Sequence, residues 1–343
     1  MKAKIKPRIN LEGRTRLEEV IPLSTPFIIF VDPSSICNSK CKFCPNRQIK
    51  NKKIMDFDLF KKVIDDLKEF DKPIKVLRMY KEGEPLLNRS FVEMIRYTKI
   101  SKHVDYIDTT TNGLLLNPEL SKKILDAGLD KINISVNGMS NKQFMELADI
   151  KVDFDKYVDN IRNLYDIRET NGYKCEICIK IAGDFLTEEE KTRFYDIFGD
   201  YTDRINIENS VNCWPNFNIE EKFKSIDKNF KISQTMGIYN QPIDGSEVIV
   251  CPYLFYSTSI NSDGTVSACF LDWKHKLIIG DIKKQSLKEI WNENLLYNLQ
   301  IQNLNGKRKD NSICKNCGQL IFGNPDNIDK YRNKILENIL HEN

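Results

Sequence analysis

Strand and helix signals alternate along most of this chain, and that alternation restricts the fold more than any other feature. Apolar, β-prone runs occur at 26–32, 74–80, 105–113, 132–138, 175–181 and 204–210. Helical patterns separate them. In 56–70, Phe60, Val63, Ile64 and Leu67 share one face, with Asp56 placed to cap the N-terminus. A second helix is expected over 90–99, and a third opens at Asn117-Pro118 and closes at Gly128. A fourth covers 155–169, and Thr187 with Glu190 forms a capping box for a fifth. Six βα-type repeats imply parallel strands joined by right-handed crossovers. The expected fold class is α/β, a partial (β/α)6 TIM-like barrel, and barrels of this kind carry their chemistry at the C-terminal strand ends. Residues 1–26 read as an N-terminal extension, 27–215 as the barrel, 216–250 as a polar linker, 251–320 as a small second domain and 321–343 as a helical tail.

The 343 residues carry a net charge of +3 with Lys and Arg spread throughout, so no nucleic-acid surface stands out. No apolar run approaches the roughly 20 residues that cross a bilayer, and the basic N-terminus lacks a secretory h-region. A cytoplasmic location, with no membrane or nucleic-acid partner, is expected.

Ten cysteines are many for such a chain, and grouped cysteines in a reducing compartment read as metal or redox ligands. There are only three histidines, and His275 alone stands near a cysteine. Cys175 and Cys178 lie in a strand, where positions three apart face opposite sides, so they are expected to pack rather than chelate. Cys213 stands alone. Cys251 and Cys269 flank a hairpin signal around Asp263-Gly264, a type I′ dipeptide, and Cys314-x2-Cys317 forms a knuckle. Four thiolates close a site, and zinc and an iron–sulfur cluster both satisfy that count.

Cys37, Cys41 and Cys44 have the spacing Cys-x3-Cys-x2-Cys just after the first barrel strand, with Phe43 before the third cysteine. This pattern resembles the radical S-adenosylmethionine (SAM) enzymes. The resemblance implies a four-iron cluster whose fourth iron is chelated by SAM, and cleavage of SAM to a 5′-deoxyadenosyl radical. Thirty-eight residues past Cys44, Glu82-Gly83-Glu84-Pro85 resembles the family's Gly-Gly-Glu-Pro element, which contacts the SAM amino group. The first glycine is Glu82 here, which puts a carboxylate near the site. By the same resemblance Asn112, Ser135 and Lys180 would face the SAM ribose or carboxylate. The pattern Cys251-x12-Gly264-x4-Cys269, then forty-four residues, then Cys314-x2-Cys317 resembles the start of a SPASM domain. No cysteine follows Cys317, so the shortened Twitch form with one auxiliary cluster is expected. Its spacing is most similar to the aminocyclitol dehydrogenase branch.

The resemblance implies two 4Fe-4S clusters, SAM, and a reductant such as flavodoxin or ferredoxin. The function expected is oxidation of a secondary alcohol on a sugar or aminocyclitol-type substrate, with Glu82, Glu208 and Cys213 as catalytic candidates. Epimerisation with Cys213 as hydrogen donor is the alternative, followed by peptide modification. The thirty-six residues ahead of Cys37 are too few for a leader-binding domain. A zinc- or cluster-bearing binding module is the non-enzyme alternative, and it would not need Glu82 to Pro85.

Overall fold

The computed structural model describes residues 1–243, 247–324 and 326–342, Glu342 by its backbone alone. Ten strands form one sheet: β1 (Lys4–Ile5), β2 (Ile28–Val31), β3 (Val76–Met79), β4 (Ile107–Thr111), β5 (Lys131–Val136), β6 (Glu176–Ala182), β7 (Arg204–Glu208), β8 (Ser257–Ile260), β9 (Thr265–Ser267) and β10 (Ile278–Asp281). Their spatial order is β1-β7-β6-β5-β4-β3-β2-β8-β9-β10. Strands β2 to β7 run parallel to their neighbours, as right-handed βα units require. Helices α1 (Phe57–Asp66), α2 (Phe91–Ser101), α3 (Pro118–Asp126), α4 (Asn141–Ala148), α5 (Phe154–Asn171) and α6 (Glu188–Phe198) connect them. This is the expected α/β partial barrel.

The local signals act as expected. Asp56 accepts from the amides of Asp58 and Leu59 at the start of α1. Asn117 caps α3 with Pro118 at its first position, and Gly128 follows the helix at φ +91°. Thr187 and Glu190 form a reciprocal capping box on α6. Phe60, Val63, Ile64 and Leu67 are buried against the sheet. Helix α4 was not anticipated. Ser140 caps it by accepting the Gln143 amide, while Gln143 Oε1 takes the Met139 amide.

The second half extends the barrel sheet itself. Strand β8 lies parallel to β2, with Ile28 opposite Ser257 and Val31 opposite Ile260, and β9 and β10 follow antiparallel. At the other edge β1 pairs parallel with β7. The β8–β9 turn is not type I′. Only Gly264 has positive φ, at +88°, and its amide donates to Asn261 O at 2.9 Å. Asp263 keeps an ordinary φ because its carboxylate accepts from the Thr265 amide and hydroxyl. The result is an ordinary turn closed by a left-handed glycine.

Within 216–250, residues 244–246 lie outside the described residues. The remainder includes α7 (Ile219–Phe223), and Phe217, Ile219, Phe223, Phe230 and Ile232 build a small apolar cluster with Trp273. Cys175 and Cys178 are buried.

Candidate functional site

A cavity of about 410 Å³ opens at the C-terminal strand ends. Its lining includes Cys37, Cys41, Phe43 and Cys44 from the loop after β2, Glu82 to Glu84 after β3 and Asn112 after β4. Ser135 of β5, Lys180 of β6, and Glu208 and Cys213 at and after β7 complete the barrel side. Of the expected site residues only Pro85 and the four C-terminal cysteines are not on its wall.

Gly83 makes the cysteine loop possible. A Cβ there would stand 2.3 Å from Ser34 O, 2.4 Å from Ile36 O and 2.6 Å from the Ser35 carbonyl carbon. The backbone of residues 34–36 therefore rests directly on residue 83, and the Glu84 amide donates to Ile36 O at 2.9 Å. Asn46 ties the same two segments, donating to Ser35 O and Glu82 O at 2.8 Å each.

Glu84 is buried and fully engaged. It accepts from the Leu86 amide at 3.0 Å, the Thr111 hydroxyl at 2.7 Å and the Asn112 amide at 2.8 Å. Burial pushes its carboxyl up to about 7, and those three donors pull against that shift. Its side chain joins the ends of β3 and β4. Asn112 turns to the cysteine loop, donating to Asn38 Oδ1 at 2.7 Å, Ser39 Oγ at 3.0 Å and Cys37 Sγ at 3.9 Å.

Glu82, the residue in place of the family glycine, binds Lys81 Nζ at 2.6 Å and His275 Nε2 at 2.8 Å through one oxygen. Lys81 also donates to Asn261 Oδ1 at 2.6 Å. Both cross-links reach the second half of the chain, so His275 serves Glu82 rather than a cysteine pair. Asp32 adjoins this group. Burial first, and the Glu82 charge second, push its carboxyl up to about 7. Burial disfavours the Glu82 carboxylate too, but Lys81 and His275 outweigh it and hold Glu82 below the usual range.

At the opposite wall Glu208 binds Lys180 Nζ at 2.7 Å and stands 3.4 Å from Arg8 Nε. Burial alone would raise its carboxyl; Lys180 and Arg8 overcome that and keep it ionised. Ser135 sits opposite Lys180 in the β5–β6 register. Arg8 was missed from the sequence. It comes from an N-terminal strap with no periodic signal.

The cysteines form two sets. Cys41 is pushed up by burial, then by the neighbouring thiols of Cys44 and Cys37. Cys44 is pushed up to about 11, chiefly by burial. The Ser39 amide donates to Cys37 Sγ at 3.5 Å. In the second set burial pushes Cys251 up to about 12, with Cys317 and Cys314 adding to it, and Cys269 feels Cys317, Cys251 and Cys314. The Leu271 amide donates to Cys269 Sγ at 3.4 Å. Half-buried thiols that oppose one another's ionisation, with amides aimed at sulfur, suit a cationic cluster that stabilises all their thiolates at once. Among the described residues no three donors converge tightly enough for a single ion, whereas a four-iron cluster spreads its thiolates wider. Cys37, Cys41 and Cys44, all on the cavity wall, would hold one such cluster. Cys251, Cys269, Cys314 and Cys317 would saturate the other.

Comparison with known proteins agrees with this geometry. The radical SAM superfamily profile matches residues 31–181, and an iron–sulfur cluster-binding (SPASM) domain matches 251–318. The chain thus carries a radical SAM domain followed by an iron–sulfur cluster-binding domain. A probable GTP 3′,8-cyclase of Methanococcus maripaludis is 34% identical over 115 residues, which are 33% of this chain and 37% of that protein. The chain therefore spans little more than a third of that relative. The crystal structure of BtrN in complex with AdoMet and 2-DOIA superposes with a TM-score of 0.55 at 18% identity, covering 88% of this chain and 97% of BtrN. Streptococcus suis SuiB bound to precursor peptide SuiA gives 0.61 at 15% identity, covering 90% and 73%. At these identities the likeness is one of fold. SAM and iron–sulfur clusters follow as cofactors of this class. No helix among the described residues is long and apolar enough to cross a membrane.

Proposed function

We propose that the protein oxidises a secondary alcohol of a carbohydrate-type small molecule to a ketone. One observation carries this reading: the cavity lined by Cys37, Cys41 and Cys44 is also lined by Phe270, Leu271 and Gln319, which stand within two residues of Cys269 and Cys317 in the chain. A substrate held there would touch the wall that carries the first cysteine set and the chain neighbours of the second. When bound, the cofactors supply a 5′-deoxyadenosyl radical and an electron acceptor. The oxidation would release a hydrogen atom, an electron and a proton: Cys37, Cys41 and Cys44 would hold the group that takes the first, Cys251, Cys269, Cys314 and Cys317 the group that takes the second, and a base of this chain would take the proton. Glu208 is one base this reading allows: it is ionised, lines the cavity and has one oxygen that faces Arg8 only at the long distance of 3.4 Å. Glu82 is ionised and on the cavity wall too, with one oxygen shared by Lys81 and His275 and the other without a hydrogen-bond partner, so it is the second candidate base.

The reductant this chemistry needs is a flavodoxin- or ferredoxin-like protein. Residues 37–55 contain Lys40, Lys42, Arg47, Lys50, Lys52 and Lys53 and no acidic residue. A groove of about 250 Å³ lined by Lys42, Arg47 and Lys222 reaches Cys44 from outside. That surface favours an acidic electron carrier.

The test is anaerobic turnover with a candidate polyol deuterated at the carbinol carbon. Deuterium in 5′-deoxyadenosine together with a ketone product supports the reading; an inverted alcohol carrying solvent hydrogen refutes it. Cys213 favours that second outcome, epimerisation. It lines the cavity, and burial pushes its thiol up to about 12, so it stays S–H. Cys213→Ala would abolish inversion and spare oxidation.

A further inference from the structure

Two guanidinium groups meet on the cavity wall without a carboxylate between them. Arg8 belongs to the strap that follows β1, and Arg78 to the middle of β3. Both donate to the Tyr80 hydroxyl, at 3.4 and 2.9 Å. Each makes only a long ion pair: Arg8 Nε is 3.4 Å from Glu208, and Arg78 Nε is 3.8 Å from Asp108. Neither Nε has a hydrogen-bond acceptor. Lys180 takes the other oxygen of Glu208 at 2.7 Å. Three cations thus share two carboxylates and one neutral phenol. Arg14 and Lys81 also line the cavity, but Arg14 is committed to Asp326 and Lys81 to Glu82.

The arrangement is built in advance. Lys131 Nζ donates to Arg8 O at 2.8 Å, and Arg204 donates to Pro7 O at 3.4 Å, so the strap is pinned where it delivers Arg8. Arg78 lies over the Phe30 ring at 5.5 Å, and Phe30 stacks on Phe270 at 4.6 Å. Two like charges this close repel, and a site that keeps them together gains when an anion joins them.

We propose that Arg8 and Arg78 form the receptor for an anionic oxygen group, a phosphate or a carboxylate, carried by the substrate. The aromatic wall beside them takes the body to which that group is attached. This deepens the reading of the cavity as the substrate site and rests on it. A planar guanidinium pair suits oxyanions because each can present two parallel N–H donors.

Isothermal titration of the reconstituted protein, with SAM bound, tests it with inorganic phosphate and with acetate as separate probes. Saturable single-site binding of one probe is expected, and the tighter one names the source. Arg8→Gln should weaken it about tenfold or more, and Arg8→Lys should fall between the two. Arg78→Gln should act in the same direction, with circular dichroism confirming its fold. Absence of binding by both probes, or binding that Arg8→Gln leaves unchanged, overturns the proposal. So does a loss of SAM affinity in Arg8→Gln equal to the loss of anion affinity, since the pair would then hold the cofactor carboxylate. In the same preparation, release of 5′-deoxyadenosine on reduction is scored separately. Anion binding without that release removes the radical chemistry and leaves the anion site standing.

Discussion

Gly83→Ala is the substitution that most directly probes how the site is built. The added methyl would lie 2.3 to 2.6 Å from three backbone atoms of residues 34–36. None of these is the tip of a flexible side chain. To restore even a 3.0 Å contact, the two backbones must separate by about 0.7 Å. Separation stretches the Glu84 amide bond to Ile36 O and moves Cys37, the next residue. Overpacking of this kind costs about 1–3 kcal/mol. At about 2–4 °C per kcal/mol, a thermal midpoint shift of roughly 2–12 °C is expected. The sharper readout is local. After anaerobic reconstitution the variant should lose iron and SAM affinity at the three-cysteine site while the four-cysteine set keeps its iron, as Mössbauer or EPR spectra would resolve. A variant that matches the wild type in midpoint, iron content and SAM affinity would show that the loop does not depend on this close approach.

Other outcomes follow from the same contacts. Glu84 is raised in the folded state to about 7 from the ordinary carboxyl value, so between about pH 4.5 and 7 the unfolded chain holds fewer protons and stability falls as pH rises; urea midpoints should show this slope in the wild type and a flatter one in Glu84→Gln. Glu82→Leu strands the buried Lys81 charge and should cost about 3–5 kcal/mol, most of it recovered when Lys81→Met is added. Charge reversal at Lys42, Arg47 and Lys222 should slow cluster reduction by flavodoxin and weaken flavodoxin binding in a salt-dependent way, while dithionite reduction is unchanged. Truncation after residue 250 removes β8 and uncovers the apolar edge of β2; the shortened chain should be recovered as aggregate, and a soluble product with iron at Cys37, Cys41 and Cys44 would contradict the shared-sheet argument.

The barrel was legible because its signals are local. Runs such as 131–136 and 176–182 are buried on both faces, and Asp56, Asn117, Thr187 and Gly128 mark helix ends by short-range hydrogen bonding and backbone conformation. Helix α4 had such a signal too, in Ser140 and Gln143, though its short apolar face gave little periodicity. The three-cysteine loop and Glu82 to Pro85 were legible as motifs. Their tight stacking was not, since it depends on Gly83 meeting a loop nearly fifty residues earlier. What escaped was long-range pairing. Strand β1 is two exposed residues with no pattern, yet its place on β7 is what brings Arg8 to the cavity. The Glu82–His275 contact spans 193 residues, and neither residue announces the other.

Those long-range pairings have a common consequence for the chemistry. A cluster that accepts an electron must stay at a fixed distance from the carbon it oxidises, and an auxiliary module on a flexible tether could not ensure that. Here the module's first strand is laid beside β2, the strand that leads into the three-cysteine loop. Three further contacts close the seam on the same side. Ser262 Oγ bonds Ser35 Oγ at 3.0 Å, Lys81 bonds Asn261, and His275 bonds Glu82. A fourth, from the Trp273 indole to Pro215 O at 2.9 Å, fixes the segment that carries Cys213. Each of these residues adjoins a cysteine loop or the cavity wall. The replacement of the family's first glycine by Glu82 thus has a structural reason: the added carboxylate reaches across the seam, where a glycine would leave Lys81 and His275 without their shared partner.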